Sequence, residues 1–577
     1  MSQVNAREHD LDPQTLFKAL EDADKATCVL NGCEVGRGHV LRIRRRKLAL
    51  IFVPGIMASR LMRTEKIIWD PDDMGFMVGN FLGAGPAMRQ ALLMPGGRYT
   101  PLLKDEEQRG KVPKSFPHAL ERGWHTVSWT YYGELLQGLE NWDTPLKALV
   151  DMPVYAFGYD WMASNAMAGK KLRNFINTLD AEKIIIVSHS MGGLVTRACV
   201  SLLGDKTRVL GVIHGAQPAM GAPVAYRRQK AGFESHSFIE SIASLVLGKD
   251  GPNVRAIFPF GSGPLELLPC CAYRDLHGDG TWFFYDEFVN GGIVTRSIAP
   301  EEIYDKVYTR FDDQCYYGML SRDSAREQEA YRQASRHLIS PMKRPEKYDD
   351  PDELTIEKIF KADGFHKQII SIEKMHPRTL QIFSVGKPTS CTIHWKAVDL
   401  TDKILATRFT PAPASPNMAH SDENVRKIFP DPIDKGNDYF ELRWIEKDGR
   451  VGESIMSSRI GNLFCGEDIK KQIKSSGRRV ALFTLTGKTQ GESSGHWRKD
   501  GDGTVPLASV IALPTSGDGW GPLQQYLPTY HGYRQNRDAA RHVNNVEHSA
   551  FFEAKAIEAT QKAIHNLCLA WLKGEIT

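Results

Sequence analysis

Across 577 residues no two cysteines stand in a C-x-x-C spacing, and the nine present are scattered and odd in number. Neither a disulfide framework nor a cysteine-based zinc site therefore organises the chain, and no metal or cofactor is expected. Charge of one sign is scarce too. The formal net charge is +4, too small for the broad cationic field that nucleic acid would need. No run reaches the ~18 apolar residues of a membrane-spanning helix, so any membrane contact is expected to be peripheral. The opening MSQVNAREHDLDPQ lacks a cationic segment followed by an apolar core, which leads us to expect synthesis in the cytoplasm without a Sec-type signal. Repeats of solenoid period are missing as well.

What is present is an ordinary globular composition: apolar residues at 42% suffice for a large core, and charged residues at 25% argue against disorder. From residue 48 an α/β rhythm begins. Short apolar runs at 48–53, 154–157, 184–187 and 209–213 alternate with helical patterns at 132–149 and 162–179, which predicts a mainly parallel sheet with helices on both faces. The basic run Arg42-Ile43-Arg44-Arg45-Arg46-Lys47 reads as a solvated strand edge. After about residue 225 the rhythm lapses, and 345–357 and 409–437 read as linkers or long loops. An apolar strand returns at 480–485. A last helix over 550–573 places Ile557, Ile564, Leu567 and Trp571 on one face and stops at Gly574. The expected organisation is an N-terminal extension (1–40), a core begun over 41–225, an inserted cap (226–475) and the core completed over 476–577.

The chemistry is concentrated in Val187-Ser188-His189-Ser190-Met191-Gly192-Gly193. An attacking serine on a sharp strand-to-helix turn needs small residues two places before and after it. Ser190 has Ser188 and Gly192 there, whereas Ser188 would have the β-branched Ile186, so Ser190 is the candidate nucleophile. A serine needs a base and an orienting carboxylate, and in such folds these follow in the order serine, acid, histidine. Asp502, in the glycine-rich turn 500–506, and His548, before the last helix, fit that order. His531, His542 and His565 remain alternatives for the base at this stage. His189 is expected to project away from the nucleophile. Oxyanion donors are expected from the Met191 N–H and from the loop 53–59, with Ile56 first and Met57 next.

Six text blocks in order, "FVPGIMASRL" (52–61), "GYDW" (158–161), "VSHSMGG" (187–193), "PAMGAPVA" (218–225), "LELLP" (265–269) and "GDGTVP" (501–506), resemble the lipase group that contains lecithin:cholesterol acyltransferase and the GPI-inositol deacylases. The resemblance implies an α/β-hydrolase fold, Ser190 as nucleophile, Asp502 as acid, His548 as base, and Ile56 with Met191 as oxyanion donors. Two departures stand out: Ser188 occupies the usual glycine position, and more than half the chain separates Ser190 from Asp502, which implies an unusually large cap. The text "IHGAQPAMGAPVAYRR" at 213–228 is also similar to type VI secretion phospholipase effectors. That similarity implies delivery to a target cell's periplasm, a membrane phospholipid substrate, a cognate immunity protein and a secretion-apparatus partner. An acyltransferase with the same residues, and an inactive hydrolase fold used for binding, are the competing readings. Finally, the uncharged segment 74–88, a poor helix former, is expected to be an apolar flap that meets lipid through Met74, Phe76, Met77, Phe81 and Leu82, with a buried core loop as the alternative.

Overall fold

In the computed structural model the described residues are 7–11, 39–63, 65–81, 85, 89, 93, 100–101, 105–203, 206–233, 248, 251–255, 257–275, 280–313, 315–320, 351–370, 375–384, 386–408, 439–457, 466–485, 497–510 and 547–576. Two large sheets are built from β1 (Arg46–Val53), β2 (Val150–Asp151), β3 (Val154–Ala156), β4 (Lys183–His189), β5 (Val209–Gly215), β6 (Phe283–Val289), β7 (Gly292–Ile298), β8 (Thr379–Ile382), β9 (Ile393–Asp399), β10 (Tyr439–Ile445), β11 (Val451–Ser457) and β12 (Arg479–Leu485). The helices that pack on them are α1 (Met74–Phe81), α2 (Trp129–Glu140), α3 (Asn165–Thr178), α4 (Met191–Ser201), α5 (Pro223–Ala231), α6 (Pro351–Ile370), α7 (Thr401–Ala406), α8 (Gly466–Ser476) and α9 (Ala554–Lys573).

The first sheet is parallel, in the order β8-β5-β4-β1-β2, with β3 also paired to β1. Its strands are apolar without alternation because both faces are covered. Leu48, Leu50 and Phe52 face one core with Leu135, Leu136 and Leu139 of α2 and Ile564, Leu567 and Trp571 of α9. Ala49, Ile51 and Val53 face the other, with Leu172 and Ile176 of α3 and Leu194, Val195 and Ala198 of α4. The two-residue period of a strand thus feeds two helix layers, and each fully buried Leu, Ile or Phe contributes about 1.5–3 kcal/mol. This is the α/β-hydrolase fold. The last helix ends as expected, with Gly574 at φ 76° and its N–H turned back to the carbonyls of Ala570 and Trp571.

The second sheet has the order β7-β6-β9-β12-β10-β11 and is antiparallel except between β6 and β9. Phe283, Trp395 and Phe483 pack on one side with Tyr226 of α5, while Leu442, Trp444, Val480 and Leu482 pack on the other with Ile404 of α7 and Ile469 and Ile473 of α8.

Four expectations need correction. The strand at 480–485 does not complete the first sheet: β12 lies inside the second. Conversely β8, which falls within the expected cap, pairs with β5. A short apolar run carries no label for its sheet, so only pairing decides. The basic run is divided: Arg42 and Ile43 lie in a two-stranded sheet with residues 7–11 and so at an edge, whereas its end opens β1, which lies between β4 and the β2 and β3 strands and is held by Arg46 on Glu182 and Lys47 on Asp180. Residues 345–357 are not all linker, because Pro351 opens a 20-residue helix, where its missing N–H costs no hydrogen bond. The linker expected at 409–437 lies outside the described residues.

Candidate active site

Two loops at the C-terminal ends of adjacent parallel strands converge on one point. After β4 the chain turns at Ser190, whose φ of 51° and ψ of −126° lie in a region that a side chain rarely adopts, and Met191 opens α4 at once. The Ser190 N–H donates to the Gly215 carbonyl at 2.9 Å, which holds the turn against the end of β5. Glycine is required at 192: a Cβ there would sit 2.4 Å from the Pro54 carbonyl oxygen, so the loop after β1 could not approach. Ser188 is fully buried in the strand, with its hydroxyl 2.7 Å from His214 Nδ1. The two serines therefore differ in kind, one packed in the strand and one at its apex.

Ser190 Oγ lies 2.8 Å from His548 Nε2, and His548 Nδ1 lies 2.6 Å from Asp502 Oδ2. The carboxylate is fixed by its own turn: Asp502 Oδ1 accepts from the Thr504 and Val505 N–H groups at 3.0 and 2.8 Å, and its carbonyl accepts from the His548 N–H at 2.9 Å. With Nδ1–H donating to the carboxylate, Nε2 is free to accept from the serine hydroxyl. His565 sits on α9 against Trp142, at a ring separation of 6.3 Å. His531 and His542 lie outside the described residues.

The loop after β1 forms a turn in which the Ala58 N–H donates to the Gly55 carbonyl and Met57 takes φ 63°. Ile56 and Met57, at its centre, line the same cavity as Ser190. Met191 is the first residue of α4, and a helix's first N–H groups have no partner within the helix. The turn is braced from behind. Tyr132 Oη accepts from the Gly55 N–H at 3.1 Å and pairs with His189 Nδ1 at 2.8 Å. Tyr132 is itself placed by Asp72, whose carboxylate accepts from the Ser128 hydroxyl and from the Trp129 and Thr130 N–H groups at the start of α2.

His189 departs from expectation. Its ring does not leave the site but lies 4.9 Å from that of His548, and it lines the cavity. Burial holds its pKa well below the ordinary histidine value, and the nearby His548 lowers it further, so His189 stays neutral beside the relay. Tyr132 was not singled out from the sequence, and His189 was expected to point elsewhere. Their signal was confined to side chains far apart in the chain, and no local spacing links them.

From Ser190 a cavity of about 230 Å³ extends between α5 and the loop after β1, lined mainly by apolar groups such as Met57, Trp69, Phe233, Phe258 and Leu267. The expected flap divides. Met74 and Met77 line the cavity and Phe76 is partly buried, but Met77 and Phe81 also belong to the core with Trp69 and Trp161. Residues 74–81 also form a helix despite two glycines, because Asp73 Oδ1 accepts from the Phe76 N–H at 2.8 Å as an N-cap. Leu82 lies outside the described residues.

The family model of lecithin:cholesterol acyltransferase matches residues 110–293, about a third of the chain. Nothing matches among the curated proteins. Among solved structures, that of the Tle4-Tli4 complex covers 91% of this chain and 99% of that chain at 20% identity and a TM-score of 0.56, a likeness of fold. Phospholipase PlaB from Legionella pneumophila (11% identity, 56% of this chain and 65% of that chain, TM-score 0.17) and the Bacillus licheniformis lipase BlEst2 in propeptide form (10%, 77% and 75%, TM-score 0.18) are too distant to argue from. The chain thus has the α/β-hydrolase fold and is similar over residues 110–293 to the lecithin:cholesterol acyltransferase family.

Proposed function

We propose that the protein is a serine lipase that cleaves acyl esters of membrane glycerophospholipids through an acyl-enzyme. The observation that carries this reading is the continuous relay from Ser190 through His548 to Asp502 at one end of an apolar cavity. In this mechanism Ser190 Oγ attacks the acyl carbonyl while His548 Nε2 takes its proton. The N–H groups of Ile56 and Met191 hold the resulting oxyanion, each worth ~10²–10³ in rate. Collapse breaks the ester bond, and His548 returns the proton to the departing lysolipid hydroxyl. Water, activated by His548, then attacks the acyl-serine and releases the fatty acid. Asp502 keeps the imidazole in the correct tautomer throughout and stabilises it when charged. An alcohol in place of water would make the same residues an acyltransferase.

Labelling by a fluorophosphonate probe tests the reading, with a single adduct on Ser190 expected and loss of labelling in Ser190→Ala. An adduct on Ser188, or none on an intact protein, overturns it. Product analysis with an added alcohol acceptor separates hydrolysis from acyl transfer. A finer reading makes the protein a type VI effector that attacks a neighbour's membrane from the periplasm and is restrained by an immunity protein. It is supported by the text at 213–228 and by the fold shared with Tle4, which was solved in complex with Tli4. Growth arrest on periplasmic expression, absent for Ser190→Ala and for cytoplasmic expression, is the expected result.

A further inference from the structure

One wall of the cavity is formed by α5, and its character changes along its length. Ala225 is followed three and four residues later by Arg228 and Gln229, positions that share a helix face, and all three line the cavity that holds Ser190 and His548. Gln229 is 1% exposed, and neither atom of its amide makes a hydrogen bond among the described residues. A buried amide left in that condition is unfavourable unless something polar meets it. Arg228 is partly exposed and its guanidinium lies 5.0 Å over the Phe233 ring, which also lines the cavity and keeps the cation on that wall. The carboxylate on the lining, Glu547, is paired with Lys387 at 3.2 Å, so the Arg228 cation and the unpartnered Gln229 amide on one helix face match a ligand that is mostly hydrocarbon but carries one anionic group.

We propose that Arg228 and Gln229 form a polar subsite that binds the phosphodiester of a glycerophospholipid, and so set specificity against uncharged acylglycerols. The assignment rests on the reading of the site as a serine acyl hydrolase. Arg228 presents its planar fork to two phosphate oxygens, and the Gln229 amide donates to a third. The apolar part of the cavity is left to an acyl chain, and the ester is delivered to Ser190. Binding the phosphate one helical turn along α5 from Ala225 also fixes how far the glycerol backbone can enter.

The test uses a chain-matched pair, dioctanoyl phosphatidylglycerol and dioctanoylglycerol, in the same mixed micelles. The native protein should prefer the phospholipid in kcat/KM by about tenfold or more, and Arg228→Met should erase most of that ratio. Gln229→Met should lower the ratio by roughly threefold, and Arg228→Lys, which keeps charge but loses the fork, should fall between. Fluorophosphonate labelling of Ser190 in each variant reports an assembled relay, so lost preference is separated from lost folding. A ratio that survives all three substitutions in labelled protein overturns the subsite while leaving the hydrolase reading intact. Native protein that turns over neither lipid and leaves Ser190 unlabelled overturns the hydrolase reading itself.

Discussion

The two large sheets obey different burial rules. In the parallel sheet β4 is buried from its second residue onward and β1 from its third, whereas β7 at the edge of the mixed sheet exposes all but its last residue. Their chemistry differs in the same way. The candidate nucleophile and oxyanion loop leave the C-terminal ends of β4 and β1, while the mixed sheet holds a buried charge network of Lys230, Glu441 and Arg443 and supplies no member of the relay. One contact between them is α5, which carries Tyr226 and Lys230 toward the mixed sheet and Arg228 and Gln229 toward the cavity. Turnover and much of the stability should therefore be separable by mutation.

The largest effect should come from the relay. Ser190→Ala and His548→Ala are each expected to lower kcat by about 10⁶, and Asp502→Asn by about 10⁴, with little change in melting temperature. Steady-state kinetics beside calorimetry check this. A variant that loses activity only as it unfolds would erase the contrast between the sheets.

The mirror-image experiment is Glu441→Ala. Glu441 accepts from Arg443 Nε at 2.6 Å and from the Tyr439 hydroxyl at 2.7 Å, and lies 3.7 Å from Lys230 Nζ. Burial alone would raise its pKa, but the two cations and the phenol hold it down to about 2. Removing it strands buried cations, which should cost about 3–5 kcal/mol in chemical denaturation while turnover per probe-labelled molecule is kept. Because the folded pKa is depressed, this stabilisation is full above the unfolded carboxylate value. It is lost as pH falls from there toward about 2.

How much of this was legible follows from the same contrast. The runs at 48–53 and 184–187 announce a sheet buried on both faces, and Ser190, Asp502 and His548 could be named because a strand end, a glycine turn and a helix start are local signals. The mixed sheet was missed because β9 pairs with β6 and β12, and β10 with β12, across long segments, and pairing over such distances leaves no period to read. The glycines at 75 and 79 led to the expectation of a poor helix, but the Asp73 carboxylate caps its first turn and the helix forms. The cavity's polar wall was missed for a different reason: Arg228 and Gln229 sit in a basic helix whose sequence does not show which face is covered.

A smaller effect distinguishes the two halves by the sign of their pH response. Glu266, buried against the start of α3, accepts from the Asn165 N–H at 2.8 Å, but burial raises its pKa to about 8. The folded state then binds a proton that the unfolded state releases, so stability falls as pH rises from the ordinary carboxylate value to about 8. That is opposite to Glu441. Glu266→Gln keeps an acceptor for Asn165 and should stabilise the protein at pH 8 by at least ~1 kcal/mol relative to pH 5. A pH–stability curve unchanged by the substitution would remove Glu266 as its source.

The smallest expected effect is at Phe76, and it decides what remains of the flap. Met77 and Phe81, on the buried side of α1, belong to the core beneath the parallel sheet, so Phe81→Ser should unfold the protein and lower every activity together. Phe76 is only partly buried, on a helix that begins with the cavity residue Met74. If α1 meets the lipid surface, Phe76 gains contact with hydrocarbon at the interface and loses little in water. Phe76→Ser should then reduce turnover of phospholipid vesicles by roughly threefold, under 1 kcal/mol, because only part of a phenyl ring is transferred. Hydrolysis of a short soluble ester should stay within experimental error of the native rate, and the melting temperature should hold. Equal losses on vesicles and on the soluble ester would show that Phe76 supports the cavity wall, and would leave α1 wholly on the side of the core.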